Sequence, residues 1–256
     1  MKYAPLILIL VVIIAPAAAL EDNGQQASAT PLLPAGLVRE GVGFQPITPP
    51  QPTHVPPGKI QITEAFSYGC GHCYDMQPHI ERWLKIKPDY IQFDRLHVAG
   101  HATNKSYARL FYALEELGRG DLHQKVFESI FDLETTLIGK SEEETSRIHQ
   151  EFSAAHGIRK ENFDPIYRSP AVQAKIARAL QFSSDLRLIG TPVLIVNGKY
   201  QLYMSQANHE ANVIAMANDI AALEIAHCSE SVGSSICGPS NTNTQTPAPT
   251  HAGMGN

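Results

Sequence analysis

Apolar and polar positions alternate between Lys59 and Tyr68, where Ile60 and Ile62 are separated by polar neighbours, the pattern of a half-buried strand. A shorter strand is predicted at Val42–Ile47 and another at Tyr90–Val98. In the latter, Ile91, Phe93, Arg95 and His97 share one face while Leu96 and Val98 lie on the other, which leaves its buried side open. The period then lengthens. Tyr107, Leu110, Phe111, Leu114 and Leu117 recur at helical spacing and stop at Gly118, and Leu122, Val126, Phe127, Ile130 and Phe131 repeat the stripe. Ser141-Glu142-Glu143-Glu144 opens a helix carrying Ile148 and Phe152, as a capping box does. Ser169-Pro170, an N-cap with proline in the first turn, opens one carrying Val172, Ile176 and Leu180. Strand signals return at Pro192–Val196 and Lys199–Tyr203 around Asn197-Gly198, a two-residue hairpin turn. A final helix is predicted over Ala207–Ala226. Strands, a block of helices, then strands imply a mixed α/β domain with a helical insertion.

The two ends of the chain differ from this middle. Met1-Lys2-Tyr3, the apolar run Leu6–Ile14 and the small residues Ala17-Ala18-Ala19 form the three parts of a secretory signal. A retained anchor is the alternative, because Tyr3–Leu20 almost reaches spanning length. Residues 240–256 are rich in Ser, Asn, Thr, Pro and Gly without apolar period and read as a disordered tail. The formal net charge is −5, with no run of Lys and Arg. That argues against nucleic acid as a partner, since phosphates require a basic face.

The four cysteines are Cys70, Cys73, Cys228 and Cys237. Export would place them where disulfides persist. Cys70-Gly71-His72-Cys73 follows a strand and precedes a helical stripe of Met76, Ile80, Trp83 and Leu84, interrupted by Pro78. Cys70 therefore sits at a helix start, where unpaired N–H groups and the helix dipole favour its thiolate, and a protonated His72 adds to the effect. Cys73, one turn on, is the more buried sulfur. A thiol–disulfide exchange centre follows, with the cysteines as redox group and no metal or other cofactor required. Two alternatives compete. A structural bridge over four residues removes little unfolded-state entropy. A zinc site would draw on His72, His79, Cys228 or Cys237, at spacings unusual for zinc.

Phe66-Ser67-Tyr68-Gly69-Cys70-Gly71-His72-Cys73-Tyr74, with Gly190-Thr191-Pro192-Val193 and Val196-Asn197-Gly198-Lys199-Tyr200-Gln201-Leu202, resembles the DsbA family of periplasmic thiol–disulfide interchange proteins over about Gly41–Ala226. The resemblance implies a thioredoxin fold with an inserted α-helical domain. Its parts would be a signal peptide at 1–19, a flexible extension at 20–37, thioredoxin-like segments at 38–101 and 182–228 flanking an insertion at 102–181, and a disordered tail at 229–256. It implies that Pro192 is cis and lies against the disulfide, with the Thr191 backbone available to substrate. It also implies that Glu64 lies beneath the disulfide as a proton relay for the buried cysteine and pairs with Arg95. The implied partners are unfolded cysteine-containing exported proteins and a quinone-linked membrane reoxidant of the DsbB type, the implied location the periplasm, and the implied state a monomer. Gly71-His72 departs from the family's familiar Pro-His and points to a milder oxidant, which keeps an isomerase or reductase as a rival. Cys228 and Cys237 are additions to the pattern; a structural disulfide is expected, a second redox relay the alternative.

Overall fold

The computed structural model describes residues 43–230 apart from Asn208, and the side chains of 206, 207 and 228–230 are not among those described. The expected signal segment, the extension at 20–37, Cys237 and residues 231–256 lie outside the described residues, so the expected Cys228–Cys237 pairing does too.

Five strands form one mixed sheet: β1 (Gln45–Pro46), β2 (Ile60–Phe66), β3 (Ile91–His97), β4 (Val193–Val196) and β5 (Tyr200–Tyr203), in the order β1-β5-β4-β2-β3. Strands β2 and β3 are parallel, while β4 runs antiparallel to both β2 and β5. The alternation that predicted a half-buried β2 understates its burial. Six of its seven residues are buried because both edges are paired and both faces covered. Ile60 and Ile62 pack with Met76 and Ile80 of α1 (Gly71–Leu84), and Ala65 packs on the other face with Val193 and Ile195. Glu64 shares the parity of Ile60 and Ile62, so its carboxyl is carried toward α1. β3 buries Ile91 and His97 and leaves Phe93 and Arg95 partly covered.

The insertion is α2 (Ala102–Glu116), a 3-10 turn at Gly120–Leu122, α3 (His123–Phe131), α4 (Glu142–Ala155), α5 (Lys160–Tyr167) and α6 (Pro170–Asp185). The Ser141 hydroxyl accepts the Glu144 N–H and that of Ser169 accepts the Val172 N–H, the caps expected of both. The sequence pattern had not singled out α5, which is short and contains Pro165. Leu180, expected on the buried stripe of α6, is instead 38% exposed, since the helix is covered on a narrower face. α1 continues through Pro78 to Leu84. The described residues close with α7 (Met204–Ala207) and α8 (Glu210–Glu230), which covers the β2 and β4 face beside α1. Among the described residues no helix is long and apolar enough to cross a membrane.

One apolar cluster runs from Phe66, Tyr68 and Cys73 through Phe111, Phe127 and Phe163 to Val172 and Ala179. The insertion therefore shares its core with the residues leading into the cysteine pair.

Candidate active site

Cys70 is the N-cap of α1, with extended backbone (φ −103°, ψ 113°). Its sulfur accepts the Cys73 N–H at 3.3 Å, taking a donor that a helix start leaves without an intrahelical partner. The turn is set by the Cys70 N–H donating to Ser67 O at 3.1 Å, with Ser67 Oγ accepting from the Gly69 N–H and donating to Asn104 of α2. Both cysteines are free thiols. Cys73 is fully buried and Cys70 is half-covered, the order expected.

From the far end of the chain, the Thr191 carbonyl accepts the Cys70 thiol at 3.3 Å. The Thr191–Pro192 peptide is cis, as the resemblance implied, and Pro192 is buried at the start of β4. The β4–β5 turn uses the expected Asn197-Gly198, both at positive φ (51° and 65°). A Cβ on Gly198 would come within 2.1 Å of Gln51 O, so the turn also needs glycine for the close pass of the preceding connector.

These contacts split the two thiols. A hydrogen bond from the Cys73 thiol is the largest influence on Cys70; with the Thr191 side chain, the Cys73 N–H and the charge of His72, it outweighs burial and lowers the Cys70 pKa to about 6. Burial, and then the neighbouring Cys70 sulfur, push the Cys73 thiol well up. The result is one nucleophile and good leaving group beside one thiol that resists losing its proton.

Beneath Cys73 lies a polar network that reaches the surface through Arg95, whose Nη2 also donates to the exposed Glu81 at 3.4 Å. Glu64 is wholly buried; Oε2 accepts from Arg95 Nε at 3.1 Å and Oε1 from Gln77 Nε2 at 3.3 Å. The same Gln77 nitrogen donates to the Cys73 carbonyl at 3.2 Å, while Gln77 Oε1 accepts from Arg95 Nη2 at 3.2 Å and from His123 Nε2 at 3.0 Å. Because His123 Nε2 donates, its Nδ1 is the acceptor for the Tyr68 hydroxyl at 3.1 Å. Burial raises the Glu64 pKa to about 7 despite Arg95 and Gln77, and it holds His123 well below the ordinary histidine range. His97 accepts the Tyr68 N–H at 3.0 Å and donates to Val98 O at 2.7 Å; burial brings its pKa to about 3, so it is a neutral strut.

The structure thus brings Cys70, Cys73, Thr191, Pro192 and Glu64 into one centre. Gly71 is the first residue of α1, and His72 is exposed, with Nδ1 4.0 Å from Asp75 Oδ2. Sequence reasoning missed Gln77, His123 and Tyr68. Gln77 had a readable signal: a polar residue one turn after Cys73 on a buried helix face.

A sheet with paired thiols at the N-terminus of its first long helix, a cis proline opposite and helices inserted between the two halves defines a thioredoxin-fold thiol–disulfide oxidoreductase. Comparison with known proteins makes the assignment specific. Residues 61–216 match the family described as DSBA-like thioredoxin domain. The chain is 33% identical over 174 residues to the thiol:disulfide interchange protein DsbA of Bordetella parapertussis, covering 68% of this chain and 80% of that one. It is also 33% identical over 176 residues to the DsbA of Burkholderia cepacia, covering 68% and 78%. The crystal structure of Pseudomonas aeruginosa DsbA superposes with a TM-score of 0.69 at 27% identity, over 76% of this chain and 98% of that one. The chain belongs to the DsbA family, and its redox group is the cysteine pair.

Proposed function

We propose that this oxidoreductase works in the oxidising direction, introducing disulfides into exported proteins in the periplasm. A substrate thiolate attacks the Cys70 sulfur of the Cys70–Cys73 disulfide, forming a mixed disulfide and releasing Cys73. The buried Cys73 sulfur needs a proton, and Glu64, whose pKa near 7 lets it hold one at neutral pH, supplies it. A second substrate thiolate then attacks the substrate sulfur of the mixed disulfide and expels Cys70 as thiolate. Two substrate thiols have become a disulfide and the enzyme disulfide a dithiol, with both electrons now on the enzyme. A quinone-linked membrane protein of the DsbB type would take those electrons, the cysteines alone serve as redox group, and the enzyme acts as a monomer. Thr191, beside Cys70 and at the cis peptide, offers backbone to an extended substrate.

The observation that carries the reading is the opposite displacement of the two thiols, Cys70 down and Cys73 up. Stabilising the Cys70 thiolate stabilises the reduced enzyme and makes the disulfide oxidising, a relationship for which DsbA is itself the standard example. The test is the equilibrium of Cys70–Cys73 with glutathione, read by thiol trapping and mass spectrometry. A potential well above the glutathione couple supports a dedicated oxidase. One near or below it makes the protein an isomerase or reductase, and a pair that does not exchange overturns the mechanism.

A further inference from the structure

The face of α1 turned away from Glu64 carries His72, Asp75 and His79, which fall on one stripe at helical spacing. His209 and Glu210, where α8 begins, lie against that stripe. The ligand atoms of His79, His209 and Glu210 all lie within 4.8 Å of one another, and so do those of His72, Asp75 and Glu210. Glu210 belongs to both sets. The His79 and His209 rings meet edge to face with centroids 5.3 Å apart, and His209 Nδ1 is 3.7 Å from Glu210 Oε2.

We propose that His79, His209 and Glu210 form a binding site for a zinc-class divalent cation, clamping the start of α8 to α1, with His72 and Asp75 as an adjoining pair of donors. Two imidazoles and a carboxylate suit zinc and its neighbours in the first transition row, and not magnesium or calcium, which select oxygen. Three protein donors leave a fourth position open, as in zinc sites that keep a water. Bonds of about 2.0–2.1 Å in tetrahedral geometry put donors roughly 3.4 Å apart, so donors that now lie within 4.8 Å of one another have to close by at most about 1.4 Å. His79 and Glu210 are only partly covered and His209 is exposed, so side-chain rotation suffices. No cysteine takes part, which separates this site from the cysteine-based zinc centre that the sequence also allowed and from the redox reading above.

One contact opposes the ion. Arg82 Nη2 lies 3.1 Å from His79 Nδ1 and, being a donor only, occupies that lone pair. Coordination through Nδ1 takes the same lone pair, and coordination through Nε2 requires a proton on Nδ1. Either mode displaces Arg82, so Arg82 is a built-in competitor. The Ala211 N–H, which donates to His209 Nδ1 at 3.1 Å, is displaced by the same logic.

The test is calorimetric titration with Zn²⁺ of the full chain, without a histidine tag and with Cys70, Cys73, Cys228 and Cys237 all replaced by serine to remove thiol ligands. One ion should bind per chain. His79→Ala and His209→Ala should each weaken it at least tenfold, with helical content unchanged by circular dichroism, and Arg82→Ala should tighten it several-fold. Absence of stoichiometric binding overturns the proposal, as does binding that His79→Ala and His209→Ala leave unchanged. The Arg82→Ala arm does not depend on removing a ligand, so it remains decisive if a histidine variant fails to fold. Binding weakened or unaltered in Arg82→Ala contradicts the geometry.

Discussion

Arg95 donates to Glu64 at 3.1 Å, yet Glu64 holds its proton more tightly than a carboxyl in water, with a pKa near 7 against 4.5. Burial outweighs the ion pair because the carboxylate has lost all contact with solvent. Between pH 4.5 and 7 the folded protein therefore binds more proton at this group than the unfolded chain does, and Glu64 makes stability fall as pH rises through that window. In the oxidised protein neither Cys70 nor Cys73 titrates and the small upward push of the Cys70 charge on Glu64 is gone, so the loss from this group between pH 5 and 8 should be about 2 kcal/mol. Glu64→Gln should remove most of that slope in urea denaturation. Parallel pH profiles for the two proteins would refute the assignment.

Alkylation of the reduced enzyme by iodoacetamide should rise with a midpoint near pH 6, reporting the Cys70 thiolate. Cys73→Ala removes the largest stabilising hydrogen bond, and Thr191→Val the next. Each should move the midpoint upward, the first further. The stability that the depressed Cys70 pKa gives the reduced protein is complete above the unfolded thiol value of about 8.5 and is lost as pH falls through 6.

Gly71→Pro should stabilise the protein by about 0.4–1 kcal/mol in thermal or urea unfolding. Position 71 opens α1, where proline is favoured, and Cys70 already has the extended backbone that a following proline requires. A Cβ at 71 meets nothing closer than Phe131 at 3.9 Å. A loss of stability would show that this first turn is less regular than described.

Gln77→Leu, similar in volume, should cost about 1–3 kcal/mol, because it leaves His123 Nε2 and one Glu64 oxygen without their partner in a buried setting. Equal stability of variant and wild type in urea would show that water replaces the amide.

The fold was legible where local chemistry dictates geometry. Ser141 and Ser169 announced their helices, Asn197-Gly198 its turn, and the cysteine spacing its place at the start of α1. Glu64 and Arg95 were paired through resemblance, since residues 31 apart acquire a shared position only when β2 and β3 align. The Gln77–His123–Tyr68 arm lay beyond reach for the same reason. Its members belong to α1, α3 and the turn after β2, and only tertiary packing turns their polar atoms toward one another. Leu180 shows the reverse failure: a helical apolar period says which residues share a face, not how wide the covering is.

Thr191 lies 121 residues after Cys70. During synthesis Cys70 and Cys73 leave the ribosome long before the strand that follows Thr191 exists, and β4 can pair with β2 only when most of the domain has been made. A growing chain therefore presents two cysteines without the Thr191 contribution to the low Cys70 pKa. That share of the pair's reactivity is acquired late, as a property of the sheet, and a chain truncated before β4 should keep the local Cys73 and His72 contributions while lacking the one from Thr191.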